Sequence, residues 1–229
     1  MKKNNVYIFG PNSSIAEEIS LILNSKNIKV RWVGSIKPDW ADNSKDTFHI
    51  VDYDSPNFLK QCNDFINDIS NVVFLGSPMQ QSLLHNTSDN DMDRILRGSI
   101  ANPLKLLTRI IPNMINANYG RIIFIGSSIA EKGVVGSSIY ALAKSSYRNL
   151  AKSLAREYGI FGLTFNVLNL GYLDKGMADT LSEKRRKEFL ARTSNEAPVD
   201  SKEIGEWLHK IIESKSLNGA TIELDGGFI

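Results

Sequence analysis

A single cysteine, Cys62, stands among 229 residues, which excludes an internal disulfide and fits a reducing compartment. The chain also lacks any apolar run of about 20 residues, the length that a membrane helix needs. Met1-Lys2-Lys3 leads into a short apolar run that ends at Gly10-Pro11, too short for a signal-peptide core. Charge of one sign is missing as well: a net charge of +2 gives no bias toward nucleic acid or an anionic membrane. His49, His85 and His209 are scattered without ligand spacing, so no metal site is expected. No repeat, low-complexity tract or Pro/Gly-rich linker divides the chain. The expectation is a cytoplasmic protein of one domain spanning residues 1–229, with enough apolar content for one substantial core.

Two charged clusters read as ordinary surface. Asp89, Asp91 and Asp93 sit where a helix begins and suit its positive end better than a cation. Glu183-Lys184-Arg185-Arg186-Lys187-Glu188 carries both signs and reads as a solvated helix face.

What is present is alternation. Short apolar runs at residues 6–9, 29–33, 47–51, 71–75, 121–125, 164–169 and 221–224 read as strands. Longer amphipathic stretches at 15–24, 57–69, 91–114, 138–158, 177–192 and 202–213 read as helices, several opening on capping residues such as Ser13, Ser55 and Asp200. This order predicts an α/β fold: a doubly wound parallel sheet of about seven strands with helices on both faces. The stretch from Met177 to Pro198 has no strand partner and is read as a lid over a site, within residues 172–199.

Tyr140-Ala141-Leu142-Ala143-Lys144 carries the chemistry, with Ser127 upstream in Phe124-Ile125-Gly126-Ser127-Ser128. Residues i and i+4 share a helix face, so phenol and ammonium can point into one site. A neighbouring cation is expected to lower the tyrosine pKa, and a serine at a strand end can hold an oxygen whose charge changes. That set suits carbonyl/alcohol redox chemistry. The first strand runs into Gly10-Pro11-Asn12-Ser13-Ser14-Ile15-Ala16, the strand-to-helix turn where a pyrophosphate meets helix N–H groups. Of the three glycines in the usual dinucleotide turn only Gly10 is present, with Ser14 and Ala16 at the other two places.

With these motifs in order, residues 4–228 resemble the short-chain dehydrogenase/reductase family. Asn218-Gly219-Ala220-Thr221-Ile222-Glu223-Leu224-Asp225-Gly226-Gly227-Phe228 looks like its last strand and Asp-Gly-Gly turn. Val51-Asp52-Tyr53 resembles the stretch that meets adenine. Asn166-Val167-Leu168-Asn169-Leu170-Gly171-Tyr172 resembles the Asn-x-x-x-Pro-Gly segment, with Leu170 where Pro is usual. Met177-Ala178-Asp179-Thr180-Leu181-Ser182 is similar to the lid helix of 3-oxoacyl-carrier-protein reductases. The departures are Phe74-Leu75-Gly76-Ser77 for the Asn-Asn-Ala-Gly turn, Ser99 (or Asn102) for a catalytic Asn, and Lys175 for a Thr that touches the nicotinamide.

The resemblance implies that Tyr140 is the acid/base, that Lys144 depresses its pKa and binds the nicotinamide ribose, and that Ser127 bonds the reacting oxygen, with Ser128 as the adjacent candidate. It implies cofactor contacts from Gly10, Asn12, Ser13, Ser14, Ile15, Ser35, Asp52, Tyr53, Gly76 and Leu173, besides Tyr140 and Lys144. Val33-Gly34-Ser35-Ile36-Lys37 contains no acid for a ribose diol, so NADP(H) is expected over NAD(H). The expected partner is a small or carrier-bound carbonyl compound, and the helices 96–114 and 138–158 are expected to pair copies into a homo-oligomer, a tetramer before a dimer. A non-catalytic dinucleotide-binding regulator, or an epimerase or dehydratase on the same scaffold, is the alternative.

Overall fold

Runs rich in Val, Ile and Phe form seven strands: β1 (Asn5–Phe9), β2 (Lys29–Gly34), β3 (Thr47–Ile50), β4 (Asn71–Phe74), β5 (Gly120–Ser127), β6 (Leu163–Leu170) and β7 (Thr221–Leu224). The computed structural model describes residues 4–53 and 55–228, apart from the side chains of Ile129, Met177 and Thr180; Met1-Lys2-Lys3 lies outside the described residues. The strands make one sheet in the order β3-β2-β1-β4-β5-β6-β7, and every pairing is parallel. This is a Rossmann-like α/β fold.

Helices cover both faces: α1 (Ala16–Ser25), α2 (Phe58–Gln61), α3 (Asp89–Leu96), α4 (Asn102–Asn116), α5 (Ser128–Lys132), α6 (Ser138–Tyr158), α7 (Glu183–Leu190) and α8 (Ser201–Glu213). Alternate residues of the central strands feed two cores, as a sheet buried on both sides requires. Tyr7, Phe74 and Phe124 pack under Ile110 of α4 and Tyr147 of α6. Ile8, Val73 and Ile123 pack under Ile19 of α1 and Leu208 of α8. Among the described residues no helix is long and apolar enough to cross a membrane.

Chain order reverses between β1 and β4, so their C-terminal ends open a crevice at the topological switch point. Two glycines meet there. Gly10 follows β1 with φ +116°, and a Cβ on it would stand 2.5 Å from the Gly76 Cα; a Cβ on Gly76 would stand 2.8 Å from the Gly10 Cα. Only hydrogen fits between the two turns.

Four helical expectations change. Residues 177–192 are not one helix but a 3-10 turn, Gly176–Thr180, and α7, parted by the extended Leu181 and by Ser182, which caps α7. Residues 57–69 make only α2 and a 3-10 turn at Ile66–Asp68, because Asn63, Asp64, Asn67 and Asp68 favour local turns over a continuous helix. The long helix after β4 is divided by a π turn, Arg97–Ala101. Pro103 has no N–H to give the carbonyl four residues earlier, Ser99, and the Tyr147 hydroxyl donates to that carbonyl at 2.6 Å instead. Ser13 caps nothing with its side chain; α1 opens at Ile15, and the Ser13 carbonyl accepts from Ala16 N at 2.9 Å. Asp200 does cap α8, accepting from Lys202 N at 2.9 Å. Ser88 caps α3, with Asp89 and Asp91 in its first turn.

Candidate active site

β5 ends on Ser127 in extended conformation, and Tyr140 and Lys144 lie on the first two turns of α6. The Ser127 hydroxyl stands close enough to the Tyr140 phenol to act on its ionisation. Lys144, 4 % exposed, donates from Nζ to the Ile125 carbonyl at 2.8 Å and stands 5.8 Å from the Tyr140 ring centre. Ser128 turns elsewhere, accepting from Asn169 Nδ2 at 3.3 Å, so Ser127 is the serine beside the phenol.

The expected electrostatics are reversed. Burial pushes the Tyr140 phenol above its ordinary value, and the neighbouring Ser127 side chain opposes this only in part. Burial also pushes the Lys144 ammonium down from 10.5 to about 7. Spacing places a cation near the phenol, but it does not reveal that both groups sit in low dielectric, where burial disfavours the charged form of each.

Ser127, Tyr140 and Lys144 line one cavity of about 530 Å³ together with Asn12, Ser13, Ser14, Ile15 and Leu173. Gly10 and Gly76 shape the crevice from their mutual contact and do not line the cavity. Ser35, Asp52 and Tyr53 stand outside it, at the ends of β2 and β3: Ser35 and Asp52 are exposed, and Tyr53 is half-buried between Phe9 and Phe58.

The departures now have positions. Ser99 is fully buried and its hydroxyl bonds that of Ser77, while Asn102 donates to the Tyr53 carbonyl at 2.5 Å. Neither side chain lines the cavity. Lys175 pairs with Glu18 in the first turn of α1, cancelling a charge that would repel a phosphate there. Next to it, Gly176 with φ +70° packs so closely on Ser14 that a Cβ would stand 2.6 Å from the hydroxyl. The segment after β6 therefore rests directly on the β1–α1 turn.

Sequence reasoning missed further residues that line the cavity. Met79 and Gln81 come from the loop after β4, where no pattern marks them. Leu181 comes from the extended turn before α7, and Arg185 and Phe189 come from α7 itself, where a spacing of four marks one helix face. The charged run around Arg185 is thus not wholly solvent-facing.

A family model described as enoyl-(acyl carrier protein) reductase matches residues 66–229, more than half of the chain. The chain belongs to the short-chain dehydrogenase/reductase family and is an NAD(P)-dependent oxidoreductase of that type. Among its relatives are proteins named 3-oxoacyl-(acyl-carrier-protein) reductase FabG. The one from Rickettsia typhi is 25% identical over 97% of this chain and 95% of its own length. The one from Buchnera aphidicola subsp. Baizongia pistaciae is 27% identical over 77% of this chain and 75% of its own length. The Escherichia coli protein is 29% identical over 65% of this chain and 62% of its own length.

Proposed function

We propose that this protein reduces the ketone of a 3-oxoacyl thioester, or of a similar small carbonyl compound, with NADP(H). The convergence of Ser127, Tyr140 and Lys144 on a cavity shared with the β1–α1 turn carries this reading. In it Ser127 and Tyr140 hydrogen-bond the substrate oxygen, and Tyr140 gives it a proton. Lys144 leaves its carbonyl partner to bind the ribose of the cofactor, and its charge then favours the phenolate. NADP(H), when bound, supplies the hydride that the carbonyl carbon accepts.

The residues present fit such a cofactor. The Gly10–Gly76 contact lets the backbone come close, Asn12 to Ile15 face the cavity, and Lys175 neutralises Glu18 at the end of α1 where phosphates would lie. Ser35 and Lys37 at the end of β2 suit a 2′-phosphate, with Lys37 giving up an exposed bond of 2.6 Å to Asp42. Gly10, Ser35, Asp52, Tyr53, Gly76 and Leu173 complete the proposed cofactor contacts. Residues 172–199 act as the lid of a single catalytic domain in the cytoplasm. Leu104 of α4 and Leu142 of α6, 36% and 57% exposed, favour a homotetramer assembled through those helices.

The test is oxidation of NADPH by purified protein with acetoacetyl thioesters, followed at the reduced-nicotinamide absorbance band. Turnover with NADPH at least several-fold above that with NADH supports the reading. NADPH binding without turnover of any ketone favours the alternative, a dinucleotide-binding regulator, to which the burial of Ser99 against Ser77 gives some support.

A further inference from the structure

The cavity-facing side of α7 carries one charge. Arg185 and Phe189 stand four residues apart on one face of α7, and Leu181, in the extended turn just before the helix, joins them on the cavity wall, one arginine with two apolar side chains. Two charged neighbours are already paired: Arg186 with Asp174 at 3.2 Å, and Lys187 with Glu183 at 2.8 Å. Phe189 fixes this face in place by stacking on Tyr172, centroids 5.6 Å apart and planes 7° from parallel.

Among the described residues the Arg185 guanidinium has no carboxylate partner, and no Asp or Glu lines the cavity. The other cations on its wall already have work: Lys144 bonds Ile125, and Lys175 pairs with Glu18. Arg185 is therefore the cation left to meet a ligand, and a guanidinium presents a planar fork of donors suited to carboxylate or phosphate.

We propose that Arg185 selects a carbonyl substrate bearing an anionic group, a carboxylate or a phosphate, that reaches α7 while the carbonyl lies at Tyr140. This rests on the ketoreductase reading and names its substrate class. The apolar flanks, Leu181 and Phe189, cover the uncharged stem of such a substrate.

Two matched pairs of ketones test it with NADPH: acetoacetate against ethyl acetoacetate, and dihydroxyacetone phosphate against dihydroxyacetone. The anionic member of at least one pair should be preferred in kcat/KM by the native protein. Arg185→Gln should remove about tenfold of that preference, the size of one lost charge-assisted bond, with the neutral member and NADPH affinity unchanged. The pair that responds identifies carboxylate or phosphate. Arg185→Lys should restore part of the preference but not the bidentate component. Equal loss on charged and neutral ketones, or weaker NADPH binding in Arg185→Gln, overturns the proposal and assigns Arg185 to helix packing or to the cofactor's phosphates. Ligand-induced shifts in melting temperature, measured on the protein with NADP⁺, apply the same comparison without turnover. If the anionic members shift the native protein no more than the neutral ones, the proposal fails. A protein that binds these anions through Arg185 but reduces no ketone retains the anion site and loses the ketoreductase reading.

Discussion

The two walls of the cavity are held by different forces. The wall built from β5 and α6 is buried: Lys144 bonds a main-chain carbonyl, Tyr147 closes the Ser99 carbonyl, and Asn169 joins Ser128 to Glu223 at 3.3 and 2.7 Å. The wall built from α7 is fastened by two ion pairs at the surface, Arg186–Asp174 and Lys175–Glu18, and by the stack of Phe189 on the buried Tyr172. Exposed ion pairs contribute about 0–1 kcal/mol each, whereas a buried polar group that loses its partner costs about 1–3 kcal/mol. One wall is therefore set before any ligand arrives, and the other can open at little cost.

The sharpest way to break this contrast is Tyr140→Phe, which keeps the ring and removes the hydroxyl. Turnover should fall by at least ~10²-fold with an unchanged circular dichroism spectrum. If most of the activity on a working substrate survives, the β5–α6 wall is scaffold and not catalyst.

Lys144→Met should affect activity and stability in opposite directions. Because the folded pKa of Lys144 is about 7 against an ordinary 10.5, the unfolded chain binds more protons between these values. Stability should rise with pH across that window, and the buried charge weighs against folding most at pH 7 and below. The variant should then be more stable than the native protein at pH 7 by on the order of 2 kcal/mol, allowing for the lost bond to Ile125. The gap in urea midpoint should shrink toward pH 10. A less stable variant at pH 7 would show that the bond to Ile125 outweighs desolvation.

The α7 wall gives the smallest energies. Glu18→Gln with Asp174→Asn removes both ion pairs and should lower stability by less than ~1 kcal/mol. KM for substrate should still change by roughly two- to fivefold, since the loosened segment carries part of the site. A stability loss of several kcal/mol would mean that the two walls are one cooperative unit.

The same division runs through what the sequence discloses. Short apolar runs marked all seven strands, because a parallel sheet covered on both faces buries consecutive residues of its central strands. Ser127, Tyr140 and Lys144 were legible because a strand end and a helix repeat bring fixed spacings together. The break at Ser99 was not, although Pro103 was its cause, because the donor that replaces the missing N–H is Tyr147, far along the chain. The direction of the Tyr140 and Lys144 shifts was misread because burial is a property of the packed wall and leaves no local pattern. Arg185 was overlooked because its neighbours carry both signs, and only the position of α7 over the cavity separates it from them.

The contact between Gly10 and Gly76 constrains change in a way that no core contact does. A cavity left by a shortened side chain can be refilled from across the core, and an enlarged one can be offset by trimming its neighbour. Here the neighbour is already the smallest residue there is, so neither position can compensate for the other. The two glycines behave as a single unit of inheritance: a library randomised at both should return functional clones only with glycine at both. The floor of the crevice is thereby barred from drifting, while the cavity-facing side of α7 is left open to acquire new substrates.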